Sequence, residues 1–312
     1  MSGPLSTTDV SAEIATGSAE ACDVEITDSR RTELGIVTIR RALPRRTRRT
    51  VGAWCFVDHM GPATVTEHRG IDIGPHPHIG LQTVTWLLTG EILHRDSLGS
   101  EQMIRPGQLN LMTAGHGVSH SEEATTFRGE LHGVQLWVAQ PNATRHESAA
   151  FEHHAALPQV ELAGGLATVL VGELAGATSP ARRDTEHVGI DLDLRPGESV
   201  IPLDPAFEYA LVVFEGALQL GKGLLEPAHL GYLGIGRTEL HLAMSAPARA
   251  LLIGGVPFPE PVLMWWNYVA RERDEINAAH TEWTVGSERF GHVESSLPRV
   301  DVGPPPWTTG QR

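Results

Sequence analysis

The chain has 312 residues, which is enough for one or two domains with a substantial core. Hydrophobic residues make up 41% of it, charged residues make up 20%, and the formal net charge is -14 at pH 7. This acidic balance argues against direct binding to nucleic acid, because affinity for a phosphate backbone comes mainly from Lys and Arg contacts. No run approaches the roughly 18 apolar residues that a membrane helix needs, so no membrane partner is expected.

The N-terminal region gives three expectations. Residues 1–21 are rich in Ser, Thr, Ala and Glu and are predicted to be a disordered tail rather than a signal peptide. Cys22 and Cys55 lie in different segments, so no disulfide framework is expected and a cytoplasmic location fits. An arginine cluster either touches an anionic partner or forms a solvated edge strand or loop. Its members are Arg40, Arg41, Arg45, Arg46, Arg48 and Arg49.

Most of the remaining chain reads as short strands. Segments 83–88, 134–138, 167–171 and 209–214 are rich in β-branched, aromatic and aliphatic residues, and glycines or prolines bound them. Several short strands at such spacing indicate an all-β sandwich or barrel.

An internal repeat predicts two barrels of related design. Residues 83–90 (TVTWLLTG) match residues 209–216 (YALVVFEG), each an apolar strand that ends in a glycine turn. Aligning Gly90 with Gly216 places Pro202 and Asp204 at the positions of His76 and His78. The second copy is therefore predicted to lack the metal ligands proposed below for the first.

One segment departs from the β pattern. Between Pro261 and Trp283 the apolar residues have roughly helical spacing, and Pro261 suits a first helical turn. These residues are Val262, Trp265, Trp266, Val269 and Ile276. We expect a short helix here that packs its tryptophans against a barrel.

Two short patterns carry the chemistry: His76-Pro77-His78 and His120-Ser121-Glu122. In a strand, side chains at i and i+2 point to the same face, so each pattern can offer two ligand atoms toward one point. Three imidazoles and one carboxylate suit a mononuclear Fe, Mn, Ni, Cu or Zn centre with open positions for substrate. The alternative is a chance surface pair, since the chain carries 16 histidines.

Neighbouring polar residues are candidates for additional ligands or pocket residues. Strand alternation turns Glu123 away if His120 points inward. His116, in a glycine-flanked turn, is a candidate for the pocket mouth, and Gln82 is either a hydrogen-bonding partner near the site or an ordinary strand residue. The connecting-region histidines His146, His153 and His154 are expected to be structural or solvent-facing.

An ordered series of motifs resembles the pirin family of the bicupin superfamily over about residues 30–285. The matching segments are 57–62 (VDHMGP), 76–80 (HPHIG), 94–99 (HRDSLG), 112–117 (MTAGHG), 120–122 (HSE), 136–138 (LWV) and 266–269 (WNYV). His59 and His94 belong to this recurring pattern, and His59 is kept as a possible pocket residue.

The resemblance implies one metal ion, usually iron, in an N-terminal cupin barrel. Its ligands would be the residues at His76, His78, His120 and Glu122. Some pirins resemble quercetin 2,3-dioxygenase, which opens a flavonol ring with O2 and releases carbon monoxide. Others act as iron-dependent, redox-sensitive co-regulators or bind metabolic enzymes, and fold kinship alone does not choose between these roles.

The sequence departs from the family at two places. Pirins commonly have Arg-Gly-Phe-Glu-Thr after the His-x-His pattern, whereas residues 79–83 here read Ile-Gly-Leu-Gln-Thr. His116 stands where an arginine is usual. Neither change touches a ligand position, so the expected effect is on substrate preference or partner surface.

The expected organisation is two consecutive cupin (double-stranded β-helix, or jelly-roll) barrels with a short C-terminal helical segment. The boundaries are a tail at 1–21, a metal-binding barrel at 22–140, a linker with the first strands of the second half at 141–185, a metal-free barrel with the helix at 186–290, and a tail at 291–312.

The expected function is a dioxygenase that holds one divalent ion, Fe(II) first and Mn, Ni, Cu or Zn as alternatives. It would act with O2 on a flavonol-like or other enolisable aromatic substrate, and Glu122 would serve as ligand and general base. The alternatives are a redox-sensing regulatory module that binds a protein partner, and a scaffold whose ion simply holds strands together. An open, apolar-lined coordination site would favour turnover.

Overall fold

We describe a computed structural model, which covers residues 24–67 and 70–308 of the chain. The tail predicted at 1–21 and Cys22 therefore lie outside the described residues. Strands of the first half are β1 (Glu25–Asp28), β2 (Arg30–Leu34), β3 (Val37–Leu43), β4 (Trp54–Val65), β5 (Ile73–His78), β6 (Leu81–Thr89), β7 (Ile92–Asp96), β8 (Glu101–Ile104), β9 (Leu109–Thr113), β10 (Val118–Glu123), β11 (Gly129–Ala139) and β12 (Ala150–His154).

The second half continues the strand pattern and ends in a helix. Its strands are β13 (Gln159–Leu162), β14 (Gly165–Val171), β15 (Glu173–Leu174), β16 (Ala177–Thr178), β17 (His187–Leu194), β18 (Gly197–Pro202), β19 (Glu208–Glu215), β20 (Leu218–Leu220), β21 (Gly223–Leu225), β22 (His229–Ile235), β23 (Glu239–Met244), β24 (Ala248–Gly255), β25 (Leu263–Trp265) and β26 (Tyr268–Ala270). Helix α1 (Arg273–Thr284) and a 3-10 turn (Glu288–Phe290) follow.

The two halves have the same sheet topology. A seven-stranded sheet in the order β12-β9-β6-β11-β4-β3-β2 belongs to the first barrel, and the order β1-β22-β19-β24-β17-β14-β13 repeats it in the second. Each barrel also has a four-stranded sheet, β5-β10-β7-β8 in the first and β18-β23-β20-β21 in the second. Strand β19 occupies the place of β6, so the predicted all-β repeat of two barrels is confirmed.

One edge strand crosses between the halves of the sequence, and another extends the first barrel. Strand β1 precedes the first barrel in sequence but pairs with β22 of the second. Strand β12, from the region predicted as a linker, pairs with β9 of the first barrel. The predicted domain boundaries stay a prediction, and these pairings place β1 in the second sheet and β12 in the first.

Trp54 links the two barrels through a shared core. Its side chain is fully buried in a cluster that contains Val84 and Leu136 of the first barrel and Leu251 and Ile253 of the second. Its indole N–H donates to the carbonyls of Val188, at 3.0 Å, and Gly254, at 3.2 Å. One side chain therefore supplies both apolar contact and a hydrogen bond across the interface.

The helix predicted from Pro261 onward begins later than expected. Trp265 ends strand β25, Trp266 has a positive φ of 52°, and Val269 lies in β26, so this part is a hairpin. The helix starts at Arg273, where Glu272 and Glu275 form a reciprocal capping box. A local turn overrides the helical spacing, but Trp265 and Trp266 do pack in a buried cluster with Ile79 of the first barrel.

The predicted alignment of Pro202 and Asp204 with His76 and His78 is wrong, because Pro202 and Asp204 do not point into the barrel. Both residues are exposed, whereas Ser199 and Ile201 point inward, opposite Leu242 and Leu240. Only residues 79–80 separate β5 from β6, but residues 203–207 separate β18 from β19, so an ungapped alignment loses register. The inward positions of the second barrel are thus mostly aliphatic.

The remaining expectations concern Cys55, the connecting-region histidines and membrane-spanning helices. Cys55 is a buried free thiol, and burial raises its pKa to about 12. His146 is exposed, while His153 and His154 are half-buried and contact Asn110 and Glu152. Within the described residues, no helix has the length and apolar character needed to cross a membrane.

Replacement of Trp54 by Phe tests the link between barrels. We expect the W54F protein to lose about 1–3 kcal/mol of unfolding free energy, because two buried carbonyls lose their shared donor. The measurement is equilibrium denaturation in urea. Trp307→Phe, the same change at a half-buried position that donates to Asn277, is the matched control. A W54F protein as stable as the control variant would contradict the assigned role.

Candidate metal centre

Strands β5 and β10 bring the two histidine patterns together. They are antiparallel, with His76 opposite His120 and His78 opposite Val118. Strand β5 lies at the edge of its sheet, which is where Pro75 and Pro77 can be accommodated without breaking a hydrogen-bond ladder. Alternation along both strands then turns the three imidazoles to the same interior face.

The three imidazoles form a compact buried cluster. One ring nitrogen from each of His76, His78 and His120 lies within 4.8 Å of the others. The side chains are 7%, 1% and 2% exposed. The Nε2 atoms of His78 and His120 are 3.1 Å apart. Among the described residues, these three form the group of His, Cys, Asp or Glu side chains whose ligand atoms lie this close together.

Hydrogen bonds fix which nitrogen faces the cluster. The Nδ1–H of His76 donates to the Gly74 carbonyl at 2.9 Å, and the Nδ1–H of His78 donates to the Asn267 carbonyl at 3.1 Å. A carbonyl can only accept, so the proton of each neutral ring is on Nδ1. The Nε2 lone pairs of His76 and His78 are therefore free to coordinate an ion.

His120 is held by a second histidine. Its Nδ1 lies 3.3 Å from Nδ1 of His94, whose Nε2 lies 3.1 Å from a carboxylate oxygen of Asp96. A neutral His94 donates through Nε2–H to Asp96, and its Nδ1 then accepts the Nδ1–H of His120. This arrangement leaves Nε2 of His120 unprotonated, as in the other two rings.

Burial keeps all three rings neutral. It lowers the pKa of His76 to about 4, with a further small effect from His94. The pKa values of His78 and His120 are well below their usual range because of burial and the neighbouring histidines. Neutral imidazole is the form that binds metal ions.

These observations fit a metal ion better than a structural histidine cluster. Two unprotonated nitrogens at 3.1 Å repel each other unless a cation lies between their lone pairs. Metal–nitrogen bonds of about 2.0–2.1 Å place neighbouring nitrogens about 2.9–3.4 Å apart at right to tetrahedral angles. The observed separation falls in this interval, so the donor set suits one ion.

Glu122 lies beside the cluster but is not part of the closely spaced group. The register of β10 shifts between His120 and Glu122, which places Glu122 opposite Ile73. Its side chain is 7% exposed and lines the same cavity as the imidazoles. Burial raises its pKa to about 7. The carboxylate is thus positioned at the cavity rather than in the three-histidine cluster.

The cluster opens onto a cavity of about 250 Å³. Phe56 and Trp137 form one wall, with parallel rings 4.0 Å apart, and Trp137 meets the His78 ring edge-on at 5.3 Å. Trp266 and Asn267 of the C-terminal hairpin also line the cavity. The site therefore adjoins a cavity whose wall combines aromatic, aliphatic and polar side chains.

A buried ion pair in this cavity was not predicted as part of the site. Arg41 donates from Nε and Nη2 to the two carboxylate oxygens of Asp58, each at 2.7 Å. Strand alternation is the sequence pattern that indicates its burial, because Val37, Ile39 and Arg41 share the buried face of β3. Arg40, also in the basic cluster, instead donates to the Gly61 carbonyl, and Arg48 pairs with Glu25.

The remaining candidate residues lie outside the cavity wall. His59 contacts His132, with 2.7 Å between their Nε2 atoms, and Gln82 donates to the Thr113 hydroxyl. His116 is exposed. Glu123 accepts a hydrogen bond from the Ser121 hydroxyl. None of these four side chains belongs to the described lining of the cavity.

Comparison with known proteins agrees with the fold and the motifs. The family model for pirin matches residues 36–138, and the model for the pirin C-terminal cupin domain matches residues 189–291. Together they cover most of both barrels, and the second begins within β17.

Relatives and solved structures extend the match over most of the chain. A Pseudomonas aeruginosa protein named as a putative quercetin 2,3-dioxygenase is 46% identical over 275 residues, covering 88% of this chain and 87% of its own. A pirin-like protein of Caulobacter vibrioides is 35% identical over 284 residues, covering 88% and 96%.

A crystal structure of quercetin 2,3-dioxygenase from Acinetobacter baumannii superposes with a TM-score of 0.87 and 43% identity, covering 90% of this chain and 95% of that one. The shared double-barrel fold, the motif series and these identities over nearly nine-tenths of the sequence show that the chain belongs to the pirin family.

Proposed function

We propose that this protein is a metal-dependent dioxygenase of the pirin type, with a mononuclear centre held by His76, His78 and His120. The observation that carries the proposal is the convergence of three neutral imidazoles, with free Nε2 lone pairs, on the edge of an aromatic-lined cavity. The names of its relatives support a flavonol-like or other enolisable aromatic substrate together with O2.

The ion is proposed to be Fe(II), with Mn, Ni, Cu and Zn as alternatives. Three imidazoles and a nearby carboxylate suit each of these metals, so the donor set does not discriminate among them. When bound, the ion would supply Lewis acidity toward a substrate oxygen and a site for oxygen chemistry. The cytoplasmic location and the absence of direct nucleic-acid binding stay predictions.

The protein's own groups would position the substrate and handle its proton. The stacked rings of Phe56 and Trp137 offer a flat wall against which an aromatic ring can lie. Glu122 would accept the proton of the substrate hydroxyl as that oxygen approaches the three imidazoles, and it could also act as a fourth ligand. The near-complete burial of these groups excludes bulk water from the reacting oxygen.

The cavity favours turnover over the two alternatives. A scaffold ion would need no adjoining space, and a redox-sensing module would need no substrate pocket. The space of about 250 Å³ beside the imidazoles has room for at least part of a small substrate. A protein partner remains compatible with the enzyme because nothing in the mechanism uses the outer surface.

The ligand assignment predicts loss of metal binding in His120→Ala. We expect stoichiometric binding of Fe(II) in the unaltered protein and less than a tenth of that occupancy in the variant, because one of three convergent donors is gone. The measurement is metal analysis after anaerobic reconstitution and desalting, with circular dichroism as the fold check. His153→Ala, a histidine outside the cluster, is the control. Full occupancy in His120→Ala would overturn the assignment.

The role of His94 can be tested separately from the ligands. His94→Phe preserves the stacking on Phe151, whose ring lies 4.5 Å away, but removes the acceptor for His120. We expect metal affinity to fall about tenfold to a hundredfold, because the partner that orients a ligand histidine also sets its basicity. Competition with a chromophoric chelator for Zn(II) measures this change. Affinity within twofold of the unaltered protein would contradict the role.

The activity itself is tested with Fe(II)-reconstituted protein, quercetin and an oxygen electrode. We expect oxygen uptake with carbon monoxide release, and a decrease of at least a hundredfold in Glu122→Gln, which keeps the shape of Glu122 but cannot accept the proton. Unchanged uptake in Glu122→Gln would disprove the base role. Bound iron without uptake on quercetin or other enolisable aromatics would disprove the dioxygenase proposal and leave the metal site standing.

A further inference from the structure

The cavity has a second polar end, opposite in chemistry to the imidazole cluster. A continuous series of contacts leads away from His78: its ring meets Trp137, Trp137 stacks on Phe56, and the guanidinium of Arg41 lies 4.3 Å above the Phe56 ring. All four side chains line the cavity. A ligand lying along this wall would thus have the three imidazoles at one end and Arg41 at the other.

The ion pair with Asp58 occupies only part of the hydrogen-bonding capacity of Arg41. Nε and Nη2 donate to Asp58, while Nη1 has no acceptor among the residues that the structure describes. The residue is 4% exposed and lines the cavity. A buried guanidinium with free donors at a cavity wall is an arrangement suited to a carboxylate or another anionic oxygen.

Arg41 is the cationic side chain among the described residues that line the cavity. Asp58 is the carboxylate that pairs with it in the described part of the chain. The lining also holds Asp72, which accepts from the backbone N–H of Ala124, and Glu122, which lies beside the imidazoles. The case for an anionic ligand at this end therefore rests on the guanidinium donors of Arg41 and not on a net positive charge.

Gln135 adds a neutral donor at the same end. It is opposite Asp58 in the register of β4 and β11, and it lines the cavity. Its side-chain carbonyl accepts from the Thr85 hydroxyl at 2.9 Å, which directs the amide NH₂ group elsewhere. Amide and guanidinium donors next to each other suit an acceptor with more than one oxygen.

The size of the cavity limits the ligand. Sites for drug-sized ligands typically have about 300–1,000 Å³, and this space has about 250 Å³. A single aromatic ring with a short acidic side chain fits within such a volume, whereas part of a three-ring flavonol would extend out of the cavity.

We infer that the cavity selects a one-ring hydroxyaromatic carboxylic acid, with its phenolic oxygen at the imidazole cluster and its carboxylate on Arg41. This inference rests on the proposed function, whose substrate class it narrows. Arg41 is a specificity-determining residue in this arrangement, and Asp58 holds its guanidinium in position.

The test compares two probes that differ only in charge at the far end. 3,4-Dihydroxycinnamate and 3,4-dihydroxycinnamamide carry the same catechol for the metal end. Their affinities for the anaerobic Fe(II)-loaded protein are measured by titration calorimetry. We expect the acid to bind roughly tenfold to a hundredfold more tightly, the range of one charge-assisted hydrogen bond. Equal affinities for acid and amide would overturn the inference.

Variants assign the preference to Arg41. Removing Arg41 alone would leave Asp58 buried without a partner, so both are replaced together, as Arg41→Met with Asp58→Leu. A second pair, Arg41→Gln with Asp58→Asn, keeps hydrogen bonding without charge. We expect the acid preference to fall below twofold in both pairs. A preference that persists in a folded double variant would overturn the inference.

A matched control excludes a general effect of charge. Arg40→Met removes the same charge from the neighbouring position of β3, but Arg40 does not line the cavity. We expect this variant to keep the full acid preference. A loss equal to that of the double variants would overturn the assignment to Arg41. The probe affinities are read without turnover, so their outcome is distinguishable from failure of the oxygen-uptake test, which concerns the dioxygenase proposal.

Discussion

Three unprotonated imidazole nitrogens crowded into the protein interior are the constraint on which the rest of the site depends. Such a cluster is unfavourable unless each ring is held in one orientation, and the holding groups come from different parts of the chain. His76 is held by the carbonyl of Gly74 in its own strand, His78 by that of Asn267 in the C-terminal hairpin, and His120 by His94 of β7. The hairpin is therefore part of the site's geometry as well as a cover for the barrel.

The second barrel supports the first by burial and pairing. The interior of its four-stranded sheet is mainly aliphatic, with Ile201 opposite Leu240, and it includes the inward-pointing Ser199 described above. Trp54 extends the first barrel's core into this unit, and Gly52 donates its backbone N–H to Glu208 across the interface at 2.7 Å. The second barrel thus packs against the start of β4, the strand that carries Phe56 and Asp58 into the cavity.

Strand periodicity made much of the fold predictable from sequence. Residue composition and bounding glycines and prolines identified the strands around residues 83–88 and 209–214, and the period-2 pattern identified the common face of His76, His78 and His120. The predictions that failed depended on tertiary context. Trp266 adopts a left-handed turn that helical spacing cannot show, and the longer loop before β19 moved Pro202 to the outer face. The contact between His94 and His120 was also not predicted, because it depends on the alignment of β7 with β10.

The most informative failure concerns polar residues at inward strand positions. The alternation that selected the histidines also places Arg41 after Val37 and Ile39, and Asp58 between Phe56 and Met60, on buried faces. Composition had grouped Arg41 with arginines that are half-buried or exposed, which hid its buried environment. A buried charge in an apolar register is costly unless it is paired and hydrogen-bonded. Asp58 supplies the pairing through two hydrogen bonds, and Arg41 still lines the cavity, where its Nη1 group can meet a ligand.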